Sequence, residues 1–200
     1  EWAGTHQTAA AQAQRLSLTA AWIDALFDVH GHQVFSLGVF NADPHPGNIL
    51  VIEEEDGKPS TRLGLIDYGQ CKHLKPDEQY KVARLILSVA NKESDASIAA
   101  AFRDMNVKTS NDSTEFLANF ARLMFGKFKP EFLSHDWHKK LHKQDKVLYF
   151  PKELSMVYRT SLLLRGLAIS LQINTSIGEQ WREHAQKAVE RLKDKSISRK

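Results

Sequence analysis

The chain has one cysteine, Cys71, in 200 residues. No internal disulfide framework is possible, and a reducing, intracellular compartment suits it. It has no run of 18 or more apolar residues, which excludes a transmembrane helix within this stretch. It has no secretory signal at its start. It opens on Glu1 rather than Met, so a fragment or processed product is expected. It has little excess charge: 27 basic against 24 acidic residues leaves a net charge of +3, which calls for no nucleic-acid partner. Repeats and low-complexity tracts are absent. What remains is an ordinary globular composition, 26% charged and 42% hydrophobic. The length fits one domain, 1–200, or one large lobe of a bigger one.

Residues 8–29 are rich in Ala, Gln and Leu, and Leu16, Ala20, Ile23 and Phe27 recur at helical spacing. The helix continues past Gly31 on this pattern, and Gly38 reads as its stop. "NADPHPGN" (41–48) is irregular, because two prolines and a glycine break helix and strand alike. "ILVI" (49–52) and "RLGLI" (62–66) predict two strands of a hairpin. From Pro76 the periodicity turns helical: a helix with Val82, Leu85, Ile86 and Val89 inside, another over 94–105, and a third capped near 111–114 and running to Phe125. Residues 153–172 are apolar on most faces and predict the central buried helix. Gly178–Lys193 is a final, more polar helix with Trp181, Ala188, Val189 and Leu192 inward, and "KDKSISRK" is a frayed basic tail. The expected fold is mostly α with a small β-hairpin: 1–75 carry the hairpin and its flanking turns, and 76–200 form a helical subdomain.

The two ends of the hairpin carry Asp43 and Asn48 on one side and Asp67 on the other. Phosphoryl transfer from a nucleotide needs positioning and divalent cations held by hard oxygen ligands more than covalent chemistry. Asp67 follows a strand and precedes Tyr68-Gly69, which can turn the backbone away from the carboxylate. Asn48 offers a neutral amide oxygen, and Asp43 is placed to orient an attacking hydroxyl or water. Two carboxylates about 4–5 Å apart repel by roughly 3–4 kcal/mol at an effective dielectric near 20, which a cation would relieve. Asp-x4-Asn alone arises often by chance. Followed by strand, turn, strand and Asp-aromatic-Gly, it matches the kinase order of catalytic loop and metal-binding turn. The bland reading is a Pro/Gly surface turn and an unrelated β-turn.

"ADPHPGNILV" followed by "LIDYGQ" resembles the AarF/UbiB/ADCK group of atypical protein-kinase-like proteins. "RTSLLLRGL" (159–167) is similar to that family's later helix, and "EWAGT" to its Glu-Trp-x-x-Gly stretch at the junction between lobes. The resemblance implies a protein-kinase-like C-terminal lobe with the N-lobe absent. It implies Asp43 as the catalytic-loop acid, Asn48 and Asp67 as Mg²⁺ ligands, and Glu1, Asn48 and Asp67 on the nucleotide side, with ATP as cofactor. It also implies support of isoprenoid-quinone or other lipid metabolism, contact with a quinone, isoprenoid lipid or membrane surface, and a mitochondrial or plastid setting. Asn41 stands where many members have His, and Tyr68 where Phe is usual. No Lys-x-Gly-Gln motif and no Ala-Pro-Glu segment is present.

Two rivals remain at this stage: a small-molecule phosphotransferase of the aminoglycoside or choline kinase type, and a non-catalytic pseudokinase scaffold. His135, His138 and His142 sit among lysines 139, 140, 143 and 146 and read as a solvated basic face rather than zinc ligands or a lipid contact. His45 braces its loop, and Cys71 is a plain small residue. Arg165, in an apolar helix, requires an acid or backbone carbonyls beside it.

Overall fold

The computed structural model describes residues 9–54 and 59–197. Glu1, assigned to the nucleotide side by resemblance, lies outside the described residues. Helix α1 (Ala9–His32) relaxes at its end into a π-helical turn, Gln33–Leu37, which Gly38 closes in the left-handed region at φ 73°. A side chain at Gly38 would meet the Leu74 carbonyl oxygen at 2.9 Å, so both conformation and space require glycine. The inward stripe of α1 runs Ile23, Leu26, Phe27 and His30, then Val34 in the π turn. Leu16 and Ala20, expected on that stripe, are exposed, because the packed stretch of α1 begins only around Trp22 and Ile23.

Strands follow as nested antiparallel pairs. β2 (Ile49–Glu53) and β3 (Pro59–Leu65) form the expected hairpin, in register Ile49↔Leu65. Outside it, β1 (Val39–Asn41) pairs with β4 (Cys71–His73), Asn41 facing Cys71. This outer ribbon has three residues a side, too short to leave a period in the sequence. The loops 42–48 and 66–70 both run from the outer pair to the inner one, so they are side by side by construction. Trp22 Nε1 donates to the Ser60 carbonyl at 2.7 Å and fixes the hairpin on α1.

Helices α2 (Pro76–Ala90), α3 (Asp95–Asp104) and α4 (Thr114–Phe125) stand within a residue or two of their expected bounds. Ser94 caps α3, accepting from Ser97 N–H, and Ser113, within the cap expected at 111–114, accepts from Phe116 N–H. α5 (His135–Gln144) carries the His/Lys stretch and is exposed except at Trp137, Leu141 and Gln144. Short strands β5 (Lys108–Thr109) and β6 (Val147–Tyr149), which the sequence does not signal, pair beside it. Asp145 holds that junction: it accepts from Thr109 Oγ1 and from the backbone N–H groups of Asn111, Ser113 and Lys146 at 2.7–2.9 Å.

The helix expected at the centre, α6 (Lys152–Ser170), is not central. Leu162 is 46% exposed and Ile169 38%, and only one face, from Leu154 through Leu164 to Ala168, is buried. The centre belongs to α7 (Ile177–Ile197), which packs along α2 and α1. Trp181 is fully buried between Phe27 and Phe35, and its Nε1 donates to the Phe27 carbonyl at 3.0 Å. Mean polarity misled here: α7 is polar on its outer face and small or aromatic on its inner one, which lets helices approach closely. The tail expected to fray continues α7 through Ile197. Arg165, as required, finds carbonyls: it donates to Leu123 O at 2.8 Å at the end of α4, where a helix presents its negative pole.

Candidate functional site

The nested strands set the two acid turns against each other. Ala42 N–H donates to the Gln70 carbonyl at 3.1 Å, and Ile66 N–H to the Asn48 carbonyl at 3.1 Å, one rung at each end of the paired loops. Asn41 closes them with its side chain. Its Oδ1 accepts from Asp43 N–H at 2.9 Å, and its Nδ2 donates to the Asp67 carbonyl at 2.7 Å. Gln33, in the π turn, accepts from Asn41 N–H at 3.0 Å and reaches the Tyr68 hydroxyl at 3.4 Å. The wide turn therefore delivers one side chain to both motifs.

Asn48 and Asp67 meet: Asn48 Nδ2 stands 3.4 Å from Asp67 Oδ2. The other Asp67 oxygen accepts from Gly69 N–H at 2.7 Å, which locks the turn. His45 Nδ1 accepts from Gly47 N–H at 3.1 Å, bracing the loop. Asp43 is engaged on both oxygens. Gln70 Nε2 donates to Oδ2 at 2.9 Å, and Arg159 of α6 forms an ion pair with Oδ1 at 3.3 Å. The mutual repulsion of the acids led the sequence reading to a cation as the relief. For Asp43 the fold already supplies a guanidinium.

Gln33, Gln70 and Arg159 were missed from sequence. Gln70 adjoins the Asp-Tyr-Gly turn and was within reach of inspection. Asn41 carried a signal too, since an Asx residue two before an N–H characteristically accepts from it. Arg159 is 116 residues from Asp43, and no local pattern could link them.

This ordered pair of turns agrees with an independent comparison. Residues 3–101 match the family model of the ABC1 atypical kinase-like domain. The ABC1 match takes in Asp43, Asn48 and Asp67 and ends inside α3. An uncharacterized protein of Synechocystis sp. is 24% identical over 152 residues, covering 72% of this chain and 21% of its own length. A second Synechocystis protein is 27% identical over 155 residues, covering 74% of this chain and 26% of its own. A Dictyostelium discoideum protein named "Probable serine/threonine-protein kinase abkB" is 42% identical over 55 residues, 28% of this chain and 8% of that protein. The chain thus spans about a quarter or less of the relatives it matches. None of the helices among the described residues is long and apolar enough to cross a membrane.

Proposed function

We propose that the chain carries the catalytic-loop lobe of a UbiB-like atypical kinase or ATPase that works on Mg²⁺-ATP. The observation that carries this reading is Asn48 beside Asp67, with Asp43 on the adjoining turn. The donor set fits the ion: one carboxylate and one amide leave room for the phosphate oxygens and water that Mg²⁺ prefers. Asn48 and Asp67 would hold it, and it would neutralise charge on the phosphates. Asp43 orients the attacking hydroxyl and takes its proton, and Asn41 and Gln33 keep the two turns in register. Exposed Leu50, Val51, Ile66 and Tyr68 lie on the hairpin and the metal-side turn. We assign that face to a second lobe that completes the nucleotide site. Support of isoprenoid-quinone or other lipid metabolism is the physiological setting that the family resemblance suggests.

The test is a thermal melt of the full protein with and without Mg²⁺-ATP. A rise in Tm is expected, and Asp67→Asn should remove it. Asp43→Asn should keep the rise and lower ATP turnover by about 10²-fold or more. Retention of the full Tm rise in Asp67→Asn would show that Asp67 is not the metal ligand.

A further inference from the structure

Between the outer ribbon and the start of α6 lies a cleft that the reaction so far leaves unused. It has a volume of about 180 Å³ and is lined by Phe40, Lys72, His73, Lys152, Glu153 and Met156. Phe40 and Lys72 are cross-strand partners in the outer ribbon, one rung from Asn41. Lys152, Met156 and Arg159 recur at i, i+4 and i+7 on α6, so they share one face of that helix. Arg159, which grips Asp43, therefore stands on the same face of α6, one turn beyond the Met156 end of the cleft. The cleft's floor is apolar, from Phe40 and Met156. Its rim carries Lys72, Lys152 and His73 against the single acid Glu153. Among the described residues, none of Lys72, Lys152 or His73 forms an ion pair. Lysines converging on a cavity without acid partners leave a positive potential there, and a concave wall focuses it.

We propose that this cleft is the acceptor subsite, and that it takes a hydroxyl-bearing molecule with an anionic group on a short apolar stem. The proposal rests on the phosphotransfer reading above. Asp43 carries Gln70 on one oxygen and Arg159 on the other, so a hydroxyl that takes the place of Arg159 on Oδ1 meets a carboxylate no longer shared with a cation. An anion held between Lys152 and Lys72 competes for Arg159 and draws it from Asp43 Oδ1. The freed oxygen then accepts the hydroxyl proton. The acceptor oxygen forms its bond to the γ-phosphorus while the bond from that phosphorus to the bridging oxygen breaks, and ADP leaves with the electron pair. A neutral alcohol cannot unpair Arg159, so the ion pair acts as a charge filter on the acceptor.

Phenyl phosphate serves as the test ligand, added to the ¹⁵N-labelled full protein without nucleotide and followed by NMR. Shifts are expected at Lys72, His73, Met156 and the Arg159 side chain, and none with benzyl alcohol. Lys72→Gln with Lys152→Gln should weaken binding by about tenfold, the sum of two modest surface charge interactions. Asp43→Asn, which releases Arg159, should tighten it severalfold. Equal shifts with benzyl alcohol, no shift at those residues, or no loss in the double variant overturns the proposal. Since no nucleotide is present, these results stand apart from the Mg²⁺-ATP melt, which judges the phosphotransfer reading by itself.

Discussion

Asn41 shows how much a single side chain can settle. It is 3% exposed and joins both acid turns through an acceptor and a donor that point opposite ways. Asn41→Ala leaves the half-buried Asp43 N–H and Asp67 carbonyl without this partner and should cost about 1–2 kcal/mol, read as a lower midpoint in urea. Asn41→Asp keeps the acceptor but turns an anionic oxygen on the Asp67 carbonyl beside two other acids, so at neutral pH it should cost more than Asn41→Ala. His30 makes a different prediction. It is fully buried, its Nδ1 bonds to the Leu26 carbonyl at 2.8 Å, and its Nε2 has no partner. Burial pushes its pKa below the usual 6.5, and the Leu26 bond only partly opposes this. The unfolded chain therefore binds a proton at a pH where the folded one does not. Stability from this group is complete above pH 6.5 and declines as pH falls toward the folded value. His30→Leu should flatten the Tm–pH curve in that window; an unchanged slope would assign the slope elsewhere.

Among elements, the helices were legible because each buries a face long enough to show its period, and the inner hairpin because two short apolar runs flank a polar turn, although Leu50 and Val51 of its first strand are exposed. The π turn, the outer ribbon and β5–β6 were not, because each is held by tertiary partners. The π turn shows this well: Gln79 Nε2 donates to the Val34 carbonyl at 2.9 Å, satisfying a group that a regular helix would pair itself. Gly38→Ala combines a positive φ with a clash on backbone and should destabilise by about 1–3 kcal/mol while leaving isolated helix content intact. The β5–β6 junction depends on Asp145 in the same way. Burial raises its pKa, but three backbone N–H groups and the Thr109 hydroxyl outweigh that and hold it at about 2, below the usual 3.8. Its contribution is present above pH 3.8 and fades as pH drops toward 2. Asp145→Ala should lower stability at neutral pH by about 2–3 kcal/mol, measurable by urea titration.

For the molecule as a whole, the order of acid turn, hairpin and acid turn was readable because it is local. The site's distant supports were not, since Arg159 of α6 reaches Asp43, and α7 the π turn behind it, from far along the chain. α7 matters most. Trp181 is the largest fully buried side chain among the described residues, and Trp181→Ala should destabilise by about 3–5 kcal/mol, enough to threaten folding at 37 °C. Further along the same helix, Arg191 donates to the Phe35 carbonyl at 2.7 Å, in the π turn that positions Gln33. During synthesis the ribosome releases the hairpin and both acids long before it adds Arg191. A nascent chain halted short of α7 would display Asp43 and Asp67 on a turn without that brace, so ligand binding should switch on only as α7 clears the exit tunnel.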